Sequence, residues 1–338
     1  MEKGLIKAVL LHLGPNGMAG DAYLTDTWYE ENKHDWRKAR HAIASKKMIF
    51  DKKVWDDAVG LMKEGDLNTI VVNMRDGMVF PSHPELAIKG SWTPDEMRAE
   101  LRRLRGMGFD VIPKLNFSTT HSAWMKQYRR VVSSPEYYKV CAELIHDVCE
   151  IFGKPSHFHI GMDEEWPDAQ RDEPFVVCRR GDLWLHDARF LVDEVEKHGV
   201  RCMMWSDIFR EEPEKFKKWI PKSVLVQNWY YSEMVDENDF PKPINFNPIG
   251  YYTYGTLEKA GYDQLPTASN WCGPKNMGRT IIHCRKTIAP ERLKGFMTAP
   301  WHSTTPESRE RIMTCIAGFI GSLEGAGLRN TRKWGSRR

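Results

Sequence analysis

What this chain has little of narrows what it can be. No apolar run approaches the length of a membrane-crossing helix, so a membrane is not expected as a partner. Charge of one sign is also missing: 49 Lys and Arg against 46 Asp and Glu leave a net charge of +3. That balance argues against nucleic acid or an acidic membrane surface as the main partner. The one local basic excess is the tail 329–338, which reads as a frayed terminus rather than a binding arm. The seven cysteines (Cys141, Cys149, Cys178, Cys202, Cys272, Cys284 and Cys315) are odd in number, scattered, and without a Cys-x-x-Cys pair. Neither a disulfide framework nor a zinc site fits that spacing, and most are expected to be buried reduced thiols. No secretory leader opens the chain as written, so a cytoplasmic location is expected, with export after trimming of a leader as the alternative. Repeats and low-complexity stretches are lacking too, and no composition shift marks an interior linker. Nothing calls for a metal or other cofactor.

What remains is an apolar content of 41%, enough for a full core, and an aromatic content of 11% that includes 13 Trp. Short apolar runs alternate with amphipathic segments, the pattern of a parallel sheet wrapped by helices. Eight runs read as strands: 6–13, 68–74, 110–115, 157–161, 201–205, 224–228, 248–252 and 295–299. Helical patterns fill most gaps, at 53–63, 94–107, 136–152, 183–198, 213–219 and 307–323. Thr93, Pro94 and Glu96 form a capping-box start, and Gly106, Gly153 and Gly199 stand where helices should stop. The reading is α/β: a (β/α)8 TIM barrel, one domain over 1–338, with the barrel at about 5–323. A long connection after the first strand carries Trp28, Tyr29, His34 and Trp36, and either shapes the substrate site or packs as an excursion with its own helix near 35–45. The proline-rich segment 238–247 reads as an irregular loop.

The residues that follow each strand carry the chemistry, because active sites of such barrels lie at the C-terminal strand ends. These ends supply Arg75-Asp76, Asn116 then His121, Asp163-Glu164, Trp205-Ser206-Asp207, Asn228-Trp229, Tyr251 through Tyr254, and Trp301-His302. Aromatic faces stack on the apolar faces of sugar rings, and carboxylates and amides bind hydroxyls, so the rim suits a carbohydrate pocket. The central feature is His159-Ile160-Gly161-Met162-Asp163-Glu164. Neighbouring side chains of a strand point to opposite faces. For Asp163 and Glu164 to share a pocket the chain must leave strand geometry, and Gly161 is where it can. An adjacent anion and partial burial would raise the pKa of one carboxyl toward that of a general acid. The competing reading is a solvated acidic loop, since Glu165 continues the charge.

With these motifs the chain resembles the catalytic barrel of glycoside hydrolase family 20, the β-N-acetylhexosaminidases. That family ends its fourth strand in His-x-Gly-Gly-Asp-Glu, close to the hexapeptide here. Asp76 falls at the family's second-strand aspartate, and Pro84-Glu85-Leu86, Gly90 and Thr93 through Glu96 follow the pattern before the second helix. Residues 108–113 with His121-Ser122 are similar to the third-strand segment, and Trp205 with Asp207, Trp229 and Trp301 to the fifth, sixth and eighth strand ends. The similarity runs over about residues 50–301. The resemblance implies a retaining, substrate-assisted hydrolase acting on an oligosaccharide or glycoconjugate. Glu164 would be the acid/base and Asp163 would orient the substrate's 2-acetamido group. Asp76, His121 and Asp207 would bind substrate, and Trp205, Trp229 and Trp301 would wall the sugar. Tyr252 or Tyr254 would bond the acetamido oxygen.

The departures are as specific. The family's second-strand histidine is Asn73, its third-strand Glu and Asp are Lys114 and Asn116, and Pro-Gly before the histidine is Thr119-Thr120. No arginine near 6–15 matches the one that grips sugar hydroxyls, and the glutamate after the eighth-strand Trp is Ser303. Three other readings stay open: a glycosidase using Glu164 with a separated Asp207 or Asp76, a non-catalytic carbohydrate-binding barrel, and a metal hydrolase built on His157 and His159.

Overall fold

The computed structural model describes residues 4–17, 45–165, 167–170, 176–233 and 249–329. The connection bearing Trp28, Tyr29, His34 and Trp36, the loop 238–247 and the basic tail from 330 onward lie outside these residues.

Eight parallel strands form one sheet: β1 (Ile6–His12), β2 (Thr69–Asn73), β3 (Asp110–Lys114), β4 (His157–His159), β5 (Arg201–Trp205), β6 (Leu225–Gln227), β7 (Thr267–Ala268) and β8 (Gly295–Thr298). Their order is β6-β5-β4-β3-β2-β1-β8-β7. The remaining seam is bridged by Leu265 N–H to Val226 O (3.1 Å) and Thr267 N–H to Asn228 O (2.9 Å). The result is the expected (β/α)8 barrel.

Nine helices are described: α1 (Lys52–Glu64), α2 (Pro94–Gly106), α3 (Pro135–Phe152), α4 (Gly181–Lys197), α5 (Asp207–Glu211), α6 (Pro213–Trp219), α7 (Ile249–Lys259), α8 (Asn276–Thr287) and α9 (Arg309–Gly325). Local chemistry sets their ends. Asp51 accepts Val54 N–H (2.8 Å) at the start of α1, and the Thr93–Glu96 capping box opens α2. Gly153 closes α3 in the left-handed conformation at φ 61°. Among the described residues no helix is long and apolar enough to cross a membrane. All seven cysteines are unpaired; five are buried.

One strand expectation fails. Residues 249–259 form α7, and the seventh strand is only Thr267–Ala268. Tyr251, Tyr254 and Leu257 are buried at spacings of three, one stripe of a helix, whereas an aromatic run alone reads as a strand.

Strand residues alternate between two cores, as a sheet buried on both faces requires. Ala8, Leu10, Val71, Ile112, Met203, Leu225, Leu265 and Met297 fill the barrel, and Val9, Ile70, Val72, Val111, Cys202 and Val226 pack outward under the helices. One step further along the inward face the layer turns polar: His12, Asn73, Lys114, His159, Trp205 and Gln227, all buried. His12, Asn73 and Lys114 of this layer form the floor of the site.

Candidate active site

Beyond β4 the chain leaves strand geometry. Gly161, Met162 and Glu164 take φ of 76°, 70° and 54°. Breaking the strand's alternation in this way lets Asp163 and Glu164 face one cavity. Asn116, just past β3, is the organising neighbour. Its Oδ1 accepts N–H from Ser118 (3.1 Å) and Met162 (3.2 Å), and its Nδ2 donates to Asp163 Oδ1 (2.8 Å). A Cβ on Gly161 would lie 1.9 Å from Asn116 Oδ1, so both space and backbone conformation demand glycine. Left-handed backbone at a non-glycine residue costs on the order of 1–3 kcal/mol. Met162 and Glu164 share it with Arg75 (50°) and Trp301 (56°), which line the same cavity.

His121 lies between the two carboxylates, its Nε2 3.0 Å from Glu164 Oε2 and 3.4 Å from Asp163 Oδ2. Burial alone would lower the pKa of this imidazole. The Asp163 charge and the bonds to both carboxylates more than offset it and hold the pKa at about 9. For Asp163, burial pushes upward, but His121, Lys114 and Asn116 together hold the carboxyl well below the usual carboxylate range. At neutral pH the cluster is an imidazolium and an ionised Asp163 beside Glu164. The Asp163 side chain is 11% exposed and that of Glu164 27%, so Glu164 is the carboxyl more open to a ligand. These three residues also bring ligand atoms within 4.8 Å of one another, a donor set that a divalent cation could take in place of the His121 proton.

The cavity measures about 430 Å³. Trp205, Trp229, Tyr231, Trp271 and Trp301 wall it, and His12, Asn73 and Lys114 form the floor. Trp229 and Tyr231 stack at 5.2 Å, with the Arg210 guanidinium over the Trp229 ring at 4.5 Å. His12 Nδ1 meets Asn73 Nδ2 at 3.2 Å.

The expected site residues divide into two groups. Asp163, Glu164, His121, Trp205, Trp229 and Trp301 line the cavity together. Asp76, Asp207, Tyr252 and Tyr254 do not. Asp76 is fully buried and accepts from the backbone N–H and the side-chain amide of Asn16, and burial raises its pKa to about 6. Asp207 accepts from Trp229 Nε1 (3.0 Å), so it orients that wall from behind. Its pKa is raised to about 7 by burial, with Asp163 and Glu164 adding to the rise against Arg210. Tyr252 is on the exposed side of α7 and Tyr254 is in the core. The tyrosines that line the cavity are instead Tyr230 and Tyr231 after β6.

Sequence reasoning placed Arg75 at a strand end without giving it a role and passed over His12, Lys114, Trp271 and Cys272 as cavity residues. The inward period of two would have found His12 and Lys114; Trp271 and Cys272 were hidden by the misplaced seventh strand. His159 is committed elsewhere, its Nδ1 accepting Gly161 N–H at 2.9 Å and its pKa held well below the ordinary value by burial and by Lys114. His157 bonds Ser156 Oγ through Nδ1 at 2.9 Å. The paired-histidine metal site therefore finds one ring already spent on the backbone turn.

No protein-family model matches the chain, and no curated protein does. Solved structures do. A chitobiase of Flavobacterium johnsoniae superimposes with a TM-score of 0.59 at 17% identity, over 82% of this chain and 48% of that one. An exo-β-N-acetylglucosaminidase of family 20 from Vibrio harveyi, solved with N-acetylglucosamine, gives 0.57 at 13%, over 98% and 60%. Dispersin B gives 0.52 at 12%, over 81% and 95%. The chain thus spans about half to three fifths of the length of the first two. In its barrel, the chain is structurally similar to the enzymes of glycoside hydrolase family 20.

Proposed function

We propose that this protein is a hexosaminidase-like glycoside hydrolase, cleaving the bond to a 2-acetamido sugar by a retaining, substrate-assisted route. The observation that carries the reading is the Asp163–Glu164 pair: two adjacent carboxyls turned into one aromatic-walled cavity, one pinned and ionised, the other more open. Asp163 accepts the acetamido N–H, which directs the acetamido oxygen at the anomeric carbon. Glu164 gives its proton to the departing glycosidic oxygen as that bond breaks, leaving a cyclic oxazolinium. Glu164, now a base, takes a proton from water as the water attacks the anomeric carbon and reopens the ring. His121 positions Glu164 through its 3.0 Å bond, and Trp205, Trp229 and Trp301 exclude water and stack on the sugar.

The protein-nucleophile alternative is less well supported, because Asp76 and Asp207 lie off the cavity lining and are committed to Asn16 and Trp229. Turnover of paired aryl glycosides tests the reading. The 2-acetamido member should be cleaved and its 2-hydroxy counterpart should not, with rates unchanged by a chelator. Equal turnover of the pair would remove the substrate-assisted step, and loss of activity on chelation would assign the cluster to a metal.

A further inference from the structure

Lys114 and Arg75 give the cavity more positive charge than its carboxylates use. Lys114 follows Ile112 on the inward face of β3, is 1% exposed, and lines the cavity with its ammonium 5.7 Å from the centre of the Trp205 ring. Among the described residues it has neither a hydrogen-bond nor an ion-pair partner. Arg75 lines the same cavity and spends one N–H on Pro15 O (3.0 Å), with no carboxylate in ion-pair contact among the described residues. The two lie close enough that Arg75 works against the charge on Lys114, whose pKa is lowered to about 8 chiefly by burial. Asp163 and Glu164 are already bridged by His121, and Asp76, whose charge supports that of Arg75 from behind the lining, bonds Asn16 rather than facing the cavity.

We propose that the sugar bound here carries an anionic substituent, a sulfate, phosphate ester or carboxylate, which seats against Lys114 and Arg75. The inference rests on the glycoside hydrolase reading above and names its substrate class. Arg75, Lys114 and the imidazole of His121, its pKa raised by the carboxylates beside it, put three basic groups on the lining against two carboxyls, Asp163 and Glu164, with Asp76 behind the lining offsetting part of the Arg75 charge. When Glu164 carries the proton it must donate, the negative charges fall to one. A desolvated, unpaired ammonium is costly to keep, and a ligand anion is the partner that satisfies it without disturbing Asp163. Neutral hydroxyls would accept from Lys114 but leave the excess charge in place. Arg75 adds a planar fork suited to an oxyanion. The family pattern has acidic residues at the positions of Lys114 and Asn116, so this end of β3 has exchanged negative charge for positive.

The test is calorimetric binding to the intact protein of N-acetylglucosamine, its sulfate esters, its 6-phosphate, a hexuronic acid, and inorganic sulfate and phosphate. At least one charged sugar should bind tenfold or more tightly than N-acetylglucosamine, and the arm that does so identifies the substituent. In Lys114→Met that ratio should collapse toward one, and in Lys114→Arg it should be retained in part. Wild-type protein alone decides the first point, so a variant that fails to fold does not stall the test. Neutral sugar binding as well as every charged one overturns the inference and leaves the hydrolase reading intact. Inorganic anions binding while no sugar does overturns both the sugar-borne anion and the hydrolase reading. A charged-sugar preference that survives in Lys114→Met overturns the assignment to Lys114.

Discussion

Asp163, Glu164 and Glu165 are consecutive in sequence yet belong to two kinds of environment. Glu165 turns away from the cavity into a closed network. Its carboxylate accepts from Thr119 N–H (3.1 Å) and from Arg179 Nε and Nη2 (3.2 and 3.1 Å), and Arg179 reaches on to Asp187 at 2.8 Å. Arg179, Glu165 and Asp187 side chains are 1–2% exposed. Asp163 and Glu164 face the cavity and share one imidazolium between them. The difference teaches what separates structural from functional acid here. Glu165 has its charge and its lone pairs accounted for within the fold, while Glu164 keeps open capacity toward a ligand. The acidic run is therefore neither a solvated loop nor a single acidic patch.

Exchanging the two environments by mutation tests that division. Glu164→Gln should cut kcat/KM on an aryl 2-acetamido glycoside by about 10²–10⁴-fold, the usual contribution of a positioned general acid. Its melting temperature should stay near wild type, and a loss of stability matching that of the Arg179 variant would erase the contrast. Arg179→Met should do the reverse. Removing one partner strands Glu165 and Asp187 in the interior, and breaking a buried pair costs about 3–5 kcal/mol. Denaturant titration should register that loss. Asp163→Asn removes the ionised partner of the acetamido N–H, a charge-assisted bond worth about 1.5–3 kcal/mol. The rate on 2-acetamido substrates should fall on the order of 10–100-fold, and a rate equal to wild type would remove Asp163 from the mechanism.

Smaller effects should appear in the pH dependence of stability, in separate windows. His121 has its pKa raised from 6.5 to about 9, so its contribution is fully present below about 6.5 and is lost as pH rises through about 9. His121→Gln should flatten the melting temperature over that interval. Asp207 is raised from 3.8 to about 7, so the folded state holds its proton longer and stability falls as pH rises across that range. Asp207→Asn should remove that fall. Asp163, held low, contributes stability above its ordinary value and loses it only as pH falls through the folded-state value. A melting curve flat from pH 4 to 9 in wild type would contradict the His121 and Asp207 assignments.

Much of this could be read from the sequence because parallel strands buried on both faces leave unbroken apolar runs, as at 6–12 and 69–73. The Thr93 capping box and the helix-ending Gly153 were equally plain. The seventh strand was not, since two residues carry no periodicity, and the tyrosine-rich start of α7 supplied a false one. That error moved Tyr252 and Tyr254 to a rim they do not reach and hid Trp271. Asp163 and Glu164 were found by motif, but the partner of His121 was not. With Lys114 and Asn116 at the third-strand positions, no carboxylate stands near His121 in sequence, whereas its imidazole bonds Asp163 and Glu164 directly. Only the positive φ values after Gly161 bring that contact about, and backbone conformation at Met162 and Glu164 has no signature in residue type.

The division of labour between the two cavity carboxyls is tested most directly by a leaving-group series. Rates for Glu164→Gln and Asp163→Asn would be measured on aryl 2-acetamido glycosides whose phenols range from weakly to strongly acidic. A general acid matters less as the leaving group needs less protonation. The deficit of Glu164→Gln in the bond-breaking step should shrink toward nothing with the most acidic phenol, while that of Asp163→Asn stays constant across the series. Parallel deficits in the two variants, or no deficit in either, would contradict the assignment of acid to Glu164 and acetamido orientation to Asp163.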